Sequence, residues 1–171
     1  MASLMENLIE VLDKECSEYE GLLALSRRKT PIIVSNNLEN LQRITDEEQE
    51  LVGRVTRLDK QRMEITADIA NVLNKDVVTL KLANLIEMLA GRPAEQKALT
   101  DSHDRLQAAV KDLQRVNEQN KELLQNALEM VEFEMNLLQA AKTAPETANY
   151  NRSAYNAGDM MGVTSGFDAK Q

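Results

Sequence analysis

The sequence has 171 residues, a net charge of -8, and only 3% aromatic residues with no tryptophan. Aliphatic, amide and long charged residues dominate, which is typical of long helices and coiled coils and argues against a thick globular core. The negative charge, without a large lysine and arginine cluster, argues against nucleic acid or an anionic membrane as a partner. No apolar run is long enough for membrane insertion or a secretory signal, so we expect a cytoplasmic protein.

The first predicted helix covers residues 4–29. Its apolar residues return every three or four positions and form one face, which includes Leu8, Leu12, Cys16 and Tyr19. Because Cys16 lies on this face and is the only cysteine, we expect a buried residue, no intramolecular disulfide and a reducing compartment. Thr30 followed by Pro31 resembles a cap and a first helical position, which predicts a break or kink there.

The second predicted helix, residues 38–73, has the clearest heptad pattern. Steps of three and four connect Leu41, Ile44, Glu48, Leu51, Val55, Leu58, Arg62, Ile65, Ile69 and Val72. A repeat of 3.5 residues predicts left-handed supercoiling against another helix. Two residues of this series are charged, Glu48 and Arg62, and we interpret them as side chains whose charged ends reach solvent at the edge of the helix interface. Gly53 lies in mid-helix and suggests a close approach of another helix.

A short apolar helix is predicted over residues 77–90, after a turn capped by Asp76 and before Gly91 and Pro93. It is apolar on more than one face, so it either fills a space between the long helices or leaves a patch for a partner. We favour the first alternative.

The last predicted helix, residues 94–142, is the longest stretch without proline or glycine. Asn117 and Asn120 take positions that its repeat assigns to leucine. Three interpretations stay open for them: buried residues that fix the helix register, simple exposure, or contact with a partner.

The remaining residues, 144–171, have no apolar period, and we expect a flexible C-terminal tail beyond a helical bundle of residues 1–143. This tail carries three aromatic candidates for docking to a partner: Tyr150, Tyr155 and Phe167. The predicted fold class is all-α, an elongated antiparallel bundle or coiled coil of three long helices and a short apolar helix.

No catalytic constellation is visible in the sequence. His103 is the only histidine and has no partner at metal-ligand or catalytic-triad spacing. No glycine pattern for nucleotide binding follows a strand or opens a helix. We therefore expect no enzyme, no metal and no cofactor.

The order of these segments resembles the FlgN family of flagellar export chaperones. The resemblance is carried by the heptad segment LENLQRITDEEQELVGRVTRLDKQR and the tail YNRSAYNAGDMMGVTSGFDAKQ, within a layout that covers essentially the whole chain. It implies a cytoplasmic chaperone that holds the hook-associated proteins FlgK and FlgL and delivers them to the export gate. It also places the cargo along apolar residues of the last helix, namely Leu123, Leu128, Val131, Met135 and Leu138, together with the tail, and makes Tyr150 or Tyr155 the candidate contact with the gate.

A rival hypothesis is a structural or scaffolding coiled-coil protein whose seams serve self-assembly alone. The heptads leave the oligomeric state open, since a seam within one chain and a seam shared in a homodimer show the same pattern.

Overall fold

A computed structural model describes residues 2–143, and all its regular elements are helical. Helix α1 spans Ala2–Val34, α2 spans Leu38–Leu73, a 3₁₀ turn spans Val77–Thr79, α3 spans Leu82–Met88 and α4 spans Pro93–Thr143. The predicted all-α fold class is confirmed. The predicted tail, with Tyr150, Tyr155 and Phe167, lies outside the described residues.

Helix α1 is longer than predicted, because Thr30 and Pro31 do not interrupt it. Pro31 lies in the last turn, where the missing N–H removes a single backbone hydrogen bond and its carbonyl still accepts from Ser35 N at 3.0 Å. The turn is anchored by Ile33, which is buried. The helix ends only where Asn36 takes the left-handed conformation, with φ of 53°.

Helix α2 covers the residues of the heptad pattern, and an asparagine caps each end. Asn37 accepts a hydrogen bond from the backbone N–H of Asn40, and Asn74 is left-handed with φ of 52°. The close approach inferred at Gly53 is wrong, since a Cβ there would meet nothing within 4 Å. The close approach is instead at Gly21 of α1, where a Cβ would lie 2.8 Å from Leu51 Cδ2.

The predicted helix of residues 77–90 is in fact two short elements. Asp76 accepts from Val78 N at 3.0 Å and starts the 3₁₀ turn, but Lys81 is extended, with φ of -80° and ψ of 156°, so α3 begins separately at Leu82. The segment nevertheless fills a space between long helices, as expected. Three of its four leucines are buried in a cluster with residues of α1, α2 and α4, among them Leu12, Ile69 and Leu99.

The chain divides into two compact units, one ending at Leu128 and the other beginning at Glu129. In the first unit, a second core cluster joins Leu22 of α1, Val55 of α2 and Leu113 of α4. Together the two clusters show that α2 runs antiparallel to both α1 and α4, which run parallel to each other.

Candidate protein-binding site

The first unit contains an open groove between α1, α2 and α4, with a volume of about 710 Å³. Each of the three helices contributes apolar residues to this groove: Tyr19 and Leu22 from α1, Val52 and Val55 from α2, and Leu113 and Leu124 from α4. Val52 is 50% exposed, so part of this apolar lining is accessible to a partner.

One end of the groove is polar because α1 and α4 exchange side-chain hydrogen bonds there. Ser26 donates to Asn117 Oδ1 at 2.9 Å, and Asn120 donates to the Ser26 carbonyl at 2.8 Å. Thr30 donates to Asn120 Oδ1 at 2.6 Å. Asn120 is buried, which favours its interpretation as a register-fixing residue, whereas Asn117 is exposed and still bonded to α1.

The charged residues of the α2 seam do not simply reach solvent, so that interpretation is wrong. Glu48 is largely buried and pairs with Lys29 of α1, with 2.7 Å between Oε2 and Nζ. Charged side chains in a seam are tolerated when a facing helix supplies the opposite charge, and here α1 does.

The second seam charge, Arg62, pairs with Glu15, which is 1% exposed. The Arg62 Nε atom lies 3.2 Å from Glu15 Oε1 and 3.1 Å from Oε2, but Oε2 accepts no hydrogen bond. Burial raises the pKa of the Glu15 carboxyl, and the charge of Arg62 offsets part of this increase. Burial alone would lower the pKa of Arg62, but the carboxylates of Glu15 and Asp59 produce a net increase.

The described part of the second unit is a helical segment with no buried residue from Glu129 to Thr143. Three predicted cargo-binding residues lie here and are 51 to 63% exposed: Val131, Met135 and Leu138. In the first unit, Leu128 is 63% exposed, while Leu123 is partly buried and therefore offers less surface than expected.

Three further exposed apolar residues on this segment were not predicted from the sequence: Met130, Phe133 and Leu137. They follow each other in steps of three and four, so they form a second stripe beside Val131, Met135 and Leu138. This spacing is visible in the sequence and could have identified these three residues. We call the six residues together the apolar face, which is wider than a single coiled-coil seam requires.

Within residues 2–143, no group of three or more histidine, cysteine, aspartate or glutamate side chains could hold a metal ion. The ring of His103 forms a hydrogen bond with its neighbour Asp104, with 3.2 Å between Nδ1 and Oδ1. Cys16 is buried, and its thiol donates to the Ser102 carbonyl at 3.3 Å. None of the described helices is long and apolar enough to cross a membrane.

Comparison with known proteins gives one relative and one family. The chain is 24% identical over 146 residues to "Uncharacterized protein YvyG" of Bacillus subtilis (strain 168), an alignment that covers 85% of this chain and 84% of that protein. No solved structure matches the chain significantly. The family model described as FlgN protein matches residues 1–157. Because this match spans most of the sequence and the structure is all-α, the chain belongs to the FlgN family of flagellar export chaperones.

Proposed function

We propose that this chain is a cytoplasmic chaperone of type III flagellar export that binds the hook-associated proteins FlgK and FlgL. It prevents their premature assembly or aggregation and delivers them to the export gate. The family match supports the chaperone class. The observation that carries the cargo assignment is the apolar face, six large apolar side chains that are each more than half exposed.

The apolar face suits an amphipathic partner helix. Helix-in-groove recognition uses anchors that repeat every three or four residues, which is the spacing of both stripes of the face. Each large apolar side chain that becomes fully buried contributes about 1.5 to 3 kcal/mol, before the entropic cost of association is subtracted. Burial of these side chains would therefore favour binding without any need for an ATP cycle.

The decisive experiment compares two triple variants at the same helical spacing. One replaces Val131, Met135 and Leu138 by serine; the other replaces Glu132, Asn136 and Gln139, on the polar side, by serine. Calorimetric titration with purified FlgK and FlgL should show at least about 100-fold weaker binding for the apolar triple, since about 3 kcal/mol or more is lost. The polar triple should bind within about threefold of the unchanged chain.

Circular dichroism checks that both variants remain helical. Equal binding by the two triples would show that the apolar face does not hold cargo. If the unchanged chain retains neither FlgK nor FlgL, the chaperone function proposed for it is wrong.

The tail is proposed to contact the export gate through Tyr150 or Tyr155, with Phe167 as a further docking residue. Deleting residues 145–171 should weaken binding to gate or cargo in a pull-down. A scaffolding protein would instead keep its oligomeric state and lose nothing on this deletion. Light scattering on the unchanged chain distinguishes a monomer from a homodimer.

A further inference from the structure

We infer that the groove of the first unit binds one amphipathic helix of the same cargo, as a docking site additional to the apolar face. This inference rests on the proposed function. Elsewhere in the same unit, a space between the three long helices is filled by residues of the chain itself, whereas the groove is open.

The filled counterpart lies at the first core cluster. There, Leu80, Leu85 and Leu89 of the segment between α2 and α4 pack against the three long helices and are buried. At the second core cluster, no described segment packs against α1, α2 and α4 in this way. The space between these three helices stays open there and forms the groove. The three long helices therefore accept an additional helical segment at one end and have an open position for one at the other.

The groove continues an existing helix interface. Leu22, Val55 and Leu113 belong to the second core cluster and also line the groove, so an occupant would extend that core outward. Along α2 the lining runs from Glu48 to Asp59. At 1.5 Å per residue this length is about 17 Å, or about three helical turns.

The lining also defines the chemistry of the occupant. Apolar side chains of the partner would face Leu22, Val52 and Leu124, while a polar side chain would face the end that holds Ser26 and Asn117. An amphipathic helix with one polar residue in its apolar stripe meets both requirements, because a purely apolar one would take the exposed Asn117 side chain out of water without a new hydrogen bond.

The chain's own tail is a poor occupant. Its sequence contains Pro145 and three glycines at four-residue spacing, Gly158, Gly162 and Gly166, and lacks the apolar period of an amphipathic helix. A second copy of the chain is the remaining competitor, and the experiment below separates it from cargo.

The test is thiol labelling at two matched positions of α2. Val52 lines the groove and is 50% exposed, whereas Val72 is 58% exposed and lies outside the groove lining. Variants Val52→Cys and Val72→Cys are labelled with a maleimide, with and without FlgK or FlgL. The native Cys16 is fully buried and gives a low background.

At cargo concentrations about ten times the Kd, labelling of Val52→Cys should slow about tenfold, while labelling of Val72→Cys should change less than twofold. If cargo co-elutes with the chain but Val52→Cys is labelled at the unchanged rate, the groove is not a cargo site and the proposed function still stands. If the unchanged chain binds no cargo, the proposed function fails. Protection that appears without cargo and increases with chain concentration would assign the groove to a second copy and overturn the inference.

Discussion

Replacing Arg62 by methionine should destabilise the protein strongly, because it leaves the buried Glu15 carboxylate without its partner. Methionine keeps an apolar stem of similar length and removes the charge. Glu15 is 1% exposed, and Arg62 is the cation that pairs with it, 3.1 Å from Oε2. Removing one partner of a buried ion pair costs about 3 to 5 kcal/mol. The Arg62 side chain is 29% exposed, so we expect a loss of about 2 to 3 kcal/mol.

The loss should depend on pH with a definite sign. The pKa of Glu15 is already raised by burial, so the folded state binds this proton more tightly than the unfolded state does. The contribution of Glu15 to stability is therefore present below its ordinary pKa and is lost as pH rises through the folded pKa. The positive charge of Arg62 lowers the pKa of Glu15, so the Arg62→Met variant should extend this loss to higher pH. Its destabilisation should be larger at pH 8 than at pH 5.

Urea unfolding followed by circular dichroism measures these changes. The matched control is Lys60→Met on the same helix, since Lys60 pairs with Glu64 across 3.9 Å and both side chains are mostly exposed. It should cost less than about 0.5 kcal/mol. Adding Glu15→Gln to the Arg62→Met variant should remove the pH dependence. An Arg62→Met variant that loses less than about 1 kcal/mol, equally at both pH values, would refute this reasoning.

Three further predictions follow from the helix contacts. Gly53→Ala should raise the free energy of unfolding by about 1 kcal/mol, since the added Cβ meets open space. Gly21→Ala should raise it less, because the added Cβ would lie 2.8 Å from Leu51 Cδ2; urea unfolding measures both variants. Asn120→Ala should cost about 1 to 3 kcal/mol because it leaves buried hydrogen-bonding groups unpaired, while the exposed Asn126→Ala should cost less than about 0.5 kcal/mol in the same assay. Burial raises the pKa of the Cys16 thiol, so maleimide should react with it only after denaturant is added; rapid reaction in buffer would contradict its burial.

The apolar period could be read directly from the sequence, and most of the fold follows from it. A repeat of three and four residues fixes which side of a helix is apolar, and it gave the extent of α2 and nearly that of α4. Only three of the six residues of the apolar face were predicted from the sequence. A periodic stripe shows that a side chain lies on an apolar side but not whether another helix covers it, and Leu123 is partly covered while Phe133 is exposed.

Local sequence alone determined that this protein is built from long amphipathic helices, because helical periodicity and asparagine caps act within a few residues of one another. Only the tertiary structure decided which polar residues meet. Glu15 and Arg62 are 47 positions apart, and Ser26 and Asn117 are 91 apart. The order and direction in which α1, α2 and α4 pack bring these pairs together and leave the groove open, and no local pattern encodes that arrangement. The end of α1 is a further case, because the turn that follows Pro31 contains Ile33, and the tertiary structure buries this side chain.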